Sequence, residues 1–184
     1  LSICSVGNRL LFVATVFGFP NPVNEKAARV VAACVAVLAT VTLVTGWHWL
    51  IVVLAVGFLL RVLAGPRWSL LGQLATKVVA PHLGPPRLVP GPPKRFAQSI
   101  GFVLTSTAAT VSLGAGERSA ATALIALLLV FALLESVAGL CAGCWVFRLL
   151  MRLGVIPVET CEACRDIWTR DDDGARPVAA GTPT

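Results

Sequence analysis

The chain has 184 residues, of which 57% are hydrophobic and only 13% charged, against roughly 45–50% and about 25% in soluble domains. A water-soluble fold of this length would lack the polar groups to cover its own surface, so the sequence belongs in a lipid bilayer. The net charge of +6 comes from cations that flank apolar runs and form no basic face with interleaved aromatics, which argues against a nucleic-acid partner and for loops lying beside anionic lipid.

Residues 1–26 read as an N-terminal cytoplasmic segment. The apolar stretch 10–19 within it is too short to span, since crossing the hydrocarbon takes about 20 residues. Arg9 gives it a weak signal-peptide look, but no small-x-small cleavage site follows. Residues 27–64 are expected to hold two transmembrane helices, the first over 27–45 with no charge beyond Arg29 and the second up to Ala64, joined by a very tight turn near Gly46. Trp47, His48 and Trp49 fall at that turn and suit an interfacial belt.

Residues 65–95 form a loop. Within it Leu70, Leu71, Leu74 and Val78 recur at helical spacing with Gln73 and Lys77 opposite, the pattern of an amphipathic helix over 68–80 lying on the membrane surface. The proline-rich segment 81–93 is expected to be an ordered, extended crossover. The third span is expected over 96–113, closed by Gly114 and Gly116. Glu117 and Arg118 mark a second short turn. The fourth span is expected over 120–141, about 33 Å of helix, continuing through Arg148 and Arg152. In the tail, 142–184, residues 158–168 read as a short cytoplasmic helix and 170–184 as disordered. The expected fold is therefore all-α: a four-helix transmembrane bundle with an amphipathic interfacial helix and a short C-terminal cytoplasmic helix.

Orientation follows from lysine and arginine. Fourteen of the fifteen cations fall on one side of a four-span topology and only Arg118 on the other. The positive-inside rule makes the rich side cytoplasmic, with both termini there, in the cell membrane.

The chemistry-bearing residues are few. Six cysteines include two Cys-x-x-Cys pairs, Cys141/Cys144 and Cys161/Cys164, sixteen residues apart. Both pairs lie on the cytoplasmic side, where static disulfides are rare. The spacing fits a closed four-thiolate zinc site that would clamp the tail to the fourth helix. It equally fits thiol chemistry, with Cys161 in the first turn of a helix and Arg148 and Arg165 beside the thiolates. Thiols without a role are the third possibility. Cys141 and Cys144 share a face of the expected helix, with Arg148 one turn on. Glu135, inside the fourth span, is costly unless paired or protonated. It lies about 9 Å along the axis from Cys141 and about 120° off its face. It is either a proton carrier or substrate contact, or the partner of a third-span hydroxyl such as Ser106. His48 and His82, the only histidines, lie on opposite sides of the membrane, which weighs against paired ligation of haem. No phosphate-binding glycine loop, catalytic triad or paired-carboxylate site is present.

Five strings carry a resemblance: FPNPVNE (residues 19–25), AGPRWSLLGQL (64–74), HLGPP (82–86), PPKRFAQSIG (92–101) and GLCAGC (139–144). Together they resemble a bacterial family of small integral membrane proteins catalogued as domain of unknown function 4395, abundant in actinobacteria. CEACRDIW (161–168) is similar to the tail of an actinobacterial subset. The resemblance implies a four-helix membrane protein. It also implies thiol or sulfur handling with thioredoxin-like or sulfurtransferase partners, with Cys141, Cys144, Cys161 and Cys164 as the implicated residues and Asn21, Asn24 and Glu25 as a polar cluster at the inner face. The leading expectation is a cytoplasm-facing thiol or sulfur relay. The alternatives are a scaffold with structural zinc and a small anion transporter with Glu135 and the basic loop on its path.

Overall fold

The computed structural model describes residues 22–65 and 68–156. Among these it contains six helices and one two-residue ribbon. Strand β1 (Val23–Asn24) leads into α1 (Glu25–Thr45), and α2 is Trp49–Ala64. Helix α3 starts as Leu70–Gln73, passes through a wider π-helical stretch, Leu74–Val79, and ends with Ala80–His82. Strand β2 (Leu88–Val89) precedes α4, Gly91–Ala109 extended by a π turn to Gly114. Helix α5 is Arg118–Leu133, extended by a π turn to Ala138, and α6 is Ala142–Arg152.

Three helices are long and apolar enough to cross a membrane: Glu25–Thr45 with 21 residues, Gly91–Gly114 with 24 and Arg118–Ala138 with 21. Helix α2 is as apolar but has 16 residues, about 24 Å against a hydrocarbon core of about 30 Å. The expected second span is thus a shorter helix than its neighbours. The expected reversal near Gly46 is present: Gly46 closes α1 at φ 68° and its N–H bonds to Thr42 O, a left-handed cap that glycine adopts without a Cβ clash.

The core is a stripe down each helix. On α1 it is Ala27, Val31, Val35, Ala39 and Thr42; on α2 it is Ile51, Leu54, Phe58 and Arg61. On α5 Ala121, Ile125, Leu128 and Ala132 repeat every three or four residues, the period of one helix face. The small alanines let α1 and α5 pack together, while α2 lies along α4 and α4 bridges to α5. The outward faces stay apolar, with Val37, Val44, Val103 and Val130 exposed, as helices in contact with lipid require.

Two boundaries differ from the sequence expectation, the start of α4 and the end of α5. Helix α4 begins at Gly91, not Phe96, because Pro92 and Pro93 sit in its first turn, where a missing N–H costs nothing. Helix α3 leaves Leu70, Leu74 and Val78 exposed and buries Gly72 and Ala75, so its apolar side is available to lipid. The fourth span does not run on through Cys141. It ends at Ala138, turns at Gly139 (φ 69°) and restarts as α6.

The proline-rich segment is not extended throughout, since Pro81 falls in α3 and Pro92 and Pro93 in α4, and its middle is bonded to the start of α1. Val23 pairs with Val89 and Asn24 with Leu88. Glu25 N donates to Arg87 O at 2.8 Å, Arg87 pairs with the Glu25 carboxylate at 3.1 Å, and Lys26 Nζ donates to Leu83 O at 2.6 Å.

Candidate dithiol site at the cation-rich end

The turn between α5 and α6 builds the site. Helix α5 ends with carbonyls that need donors, and Arg29 of α1 supplies them. Its guanidinium donates to Ser136 O at 3.2 Å and to Val137 O at 2.8 Å. Gly139 then packs against Arg29 and Glu25, and the chain re-enters helix with Cys141 as its N-cap.

That placement changes the chemistry of Cys141. Its sulfur accepts from the Cys144 backbone N–H at 3.3 Å and from the Cys144 thiol at 2.7 Å. The thiol donated by Cys144 holds Cys141 below the ordinary cysteine range, with Lys94 helping and burial and the Glu135 charge opposing. The same bond, seen from the donor, pushes Cys144 far up, and burial adds to it. A low-pKa nucleophile beside a protonated thiol, at a helix N-terminus, is the arrangement that activates a Cys-x-x-Cys pair. Both cysteines are free thiols.

Gly143, between them, is there for packing. A Cβ on it would lie 2.6 Å from Ala97 Cα and Cβ on α4, so α6 crosses α4 nearly backbone to backbone. Phe147 of α6 seals this contact against Phe96, with ring centroids 5.5 Å apart. The pair opens into a cleft of about 530 Å³, bounded by Pro90, Pro93 and Lys94 on one side and by Trp145 and Arg148 on the other.

Glu135 sits in the π turn of α5, and Lys94 Nζ donates to its Oε1 at 2.6 Å. Both side chains are almost wholly buried. Its partner is therefore a lysine at the start of α4, not Ser106, whose backbone oxygen accepts from Thr110. The expected 120° offset from Cys141 also fails, because it assumed one continuous helix. With the chain turned at Gly139, Glu135 and Cys141 line the same cavity.

Other residues fall out as follows. Asn24 caps α1, its Oδ1 accepting from Lys26 N–H at 3.1 Å, and Glu25 pairs with Arg87. His48 lies at the opposite end of the bundle from His82, with its Nδ1 2.7 Å from Gly46 O. Cys161, Cys164, Asn21, the apolar stretch 10–19 and the expected tail helix 158–168 lie outside the described residues. The two cysteine pairs are therefore not seen together, and among the described residues no group of three or more His, Cys, Asp or Glu is arranged to hold a metal.

Two polar residues of this end were not singled out from sequence. Arg61 is 4% exposed, and its Nε donates to Gln98 Oε1 at 2.8 Å. A signal was available: Arg61 interrupts an apolar run between Leu60 and Val62, and a cation inside such a run is expensive. Lys94 was legible only as a loop cation, because its burial depends on α4 starting before it.

No curated protein and no solved structure matches the chain. A family model described as Domain of unknown function (DUF4395) matches residues 23–152, the stretch that runs from β1 to the end of α6. The chain belongs to that family.

Proposed function

We propose that this membrane protein is a dithiol exchanger whose Cys141–Cys144 pair passes two electrons to a soluble thioredoxin-like partner at the cytoplasmic face. The supporting observation is the position of Cys141 as the N-cap of α6, accepting both the N–H and the S–H of Cys144. In the proposed exchange the Cys141 thiolate attacks a disulfide sulfur of the partner. A mixed disulfide forms and one partner thiolate leaves. Cys144 gives its proton to that thiolate and attacks Cys141 Sγ, closing the Cys141–Cys144 disulfide and releasing the second partner thiolate. The partner gains two electrons and the pair loses two.

The cytoplasmic assignment rests on charge. Arg29, Arg61, Lys94, Arg95 and Arg148 gather at the end of the bundle that carries the thiols, and fourteen of fifteen cations lie on that side of the expected topology. Trp145 and Leu149 of α6 and its C-cap Leu153 are exposed one turn apart, a face suited to the headgroup layer.

The test is metal analysis and thiol titration of the full chain purified in detergent. The expected result is a metal-free protein that forms a Cys141–Cys144 disulfide reversibly in a glutathione series. About one zinc per chain, lost in Cys161→Ser, would replace the exchange with a structural zinc site. A reporter fused after Thr184 should read cytoplasmic, and a periplasmic signal would overturn the orientation.

A further inference from the structure

We infer that the chain binds a small oxyanion of the phosphate or sulfate class in a half-open pocket beside the start of α1, with Arg61 and Gln98 as its principal ligands. The cavity is about 180 Å³ and lies among the starts of α1 and α4, the end of α2, and α3. Asn24, Arg61, Thr76, Lys94 and Gln98 bring polar groups to its wall. It has room for several waters at about 30 Å³ each, but is below the roughly 300 Å³ of a site for a drug-sized ligand. A tetrahedral anion fits that bracket and a nucleotide does not.

Arg61 points to the charge of the occupant. Its Nε is held by Gln98 at 2.8 Å and its Nη1 by Ser69 Oγ at 3.4 Å. One face of the guanidinium lies 4.4 Å from the Phe58 ring centroid. Its Nη2 is buried and has no partner among the described residues. The side chain is thus fixed in orientation with one donor edge unused, and a buried guanidinium without a counter-charge is strongly disfavoured. Gln98 accepts from Arg61 through its oxygen, which leaves its amide nitrogen to donate.

Charge accounting supports an anion. The described carboxylates are Glu25, Glu117 and Glu135. Glu25 is paired with Arg87 and Glu135 with Lys94, and Glu117 is at the opposite end of the bundle. Among the described residues Arg61 makes no ion pair, and the Glu135 charge that reaches it is already held by Lys94.

The test is thermal unfolding of the full chain in a neutral detergent, with sodium phosphate or sulfate exchanged for chloride at constant ionic strength. The expected result is a saturable rise in Tm, roughly 5 °C at a hundredfold excess over Kd. Arg61→Met should be at least as stable as the parent chain in chloride and should lose the response. Should that variant not fold, Gln98→Leu should weaken the anion at least tenfold. Repeating the measurement in nanodiscs separates a free anion from a lipid headgroup. A free anion raises Tm in phosphatidylcholine on addition of phosphate. A headgroup raises it in phosphatidylglycerol without added phosphate, and in both cases the shift must vanish in Arg61→Met. A parent chain indifferent to phosphate, sulfate and phosphatidylglycerol would overturn the inference. So would a response that survives Arg61→Met, or an affinity unchanged in Gln98→Leu.

Discussion

The two ends of the bundle are made from the same apolar helices and are built on opposite rules. At one end the chain only has to reverse. Gly46 and Gly116 take left-handed conformations with nothing within 4 Å of a built Cβ, and Trp47 and Trp49 stack with ring centroids 6.4 Å apart. At the other end Arg29, Arg61, Lys94 and Glu135 are joined by bonds that reach across the chain, such as the 107 residues between Arg29 and Ser136. There glycine serves close approach as well as turns: Gly101 faces Phe58 and Gly143 faces Ala97, while Gly139 turns the chain. A tight turn needs only local geometry. An end that holds polar groups needs partners from several helices, and those partners fix how the helices dock.

The largest test of this contrast is Lys94→Met, which leaves Glu135 nearly buried and unpaired. It should cost about 3 kcal/mol, because breaking one half of a buried pair strands the other charge. Unfolding in detergent by graded denaturant measures it, and Lys94→Met/Glu135→Gln should recover most of the loss. Gly143→Ala comes next. The new methyl meets the α4 backbone and should cost about 2 kcal/mol, with faster alkylation of Cys144 as α6 lifts. At the opposite end Gly116→Ala meets open space and pays only for its positive φ, about 1 kcal/mol. If the two glycines prove equal, the ends are not built differently.

The smallest effect is a displacement of a pH profile. Alkylation needs the thiolate, and the Cys144 thiol holds Cys141 below the ordinary range. The rate at Cys141 should therefore stay high at a pH where a free cysteine, near about 8.5, is mostly protonated. Cys144→Ala removes that donor and should move the profile up. Mass spectrometry of the 141–148 peptide after timed iodoacetamide labelling reads both.

Much of this was legible from the residues. The uncharged run from Val30 to Thr45 requires a helix in lipid, because backbone polar groups there have no water to turn to. Gly46 marks its end, and the strings around the prolines and around Cys141 carry the family. The site was legible only in part. Cys141 and Cys144 stood out as a pair and Glu135 as an acid in an apolar run, but their relation did not. A helical wheel assumes the helix continues, and Gly139, the left-handed cap that stops it, falls inside the expected fourth span.

What the sequence determined by itself is the membrane setting, the helices and the side on which the cations gather, since these depend on transfer of each residue between water and lipid. Only the tertiary structure decided where α5 ends and what surrounds the thiols. Arg29 must arrive from α1 to satisfy the Ser136 and Val137 carbonyls, and Lys94 from α4 to neutralise Glu135. Those bonds join residues distant in the chain, and they make Cys141 the N-cap of a new helix instead of the last residue of an old one.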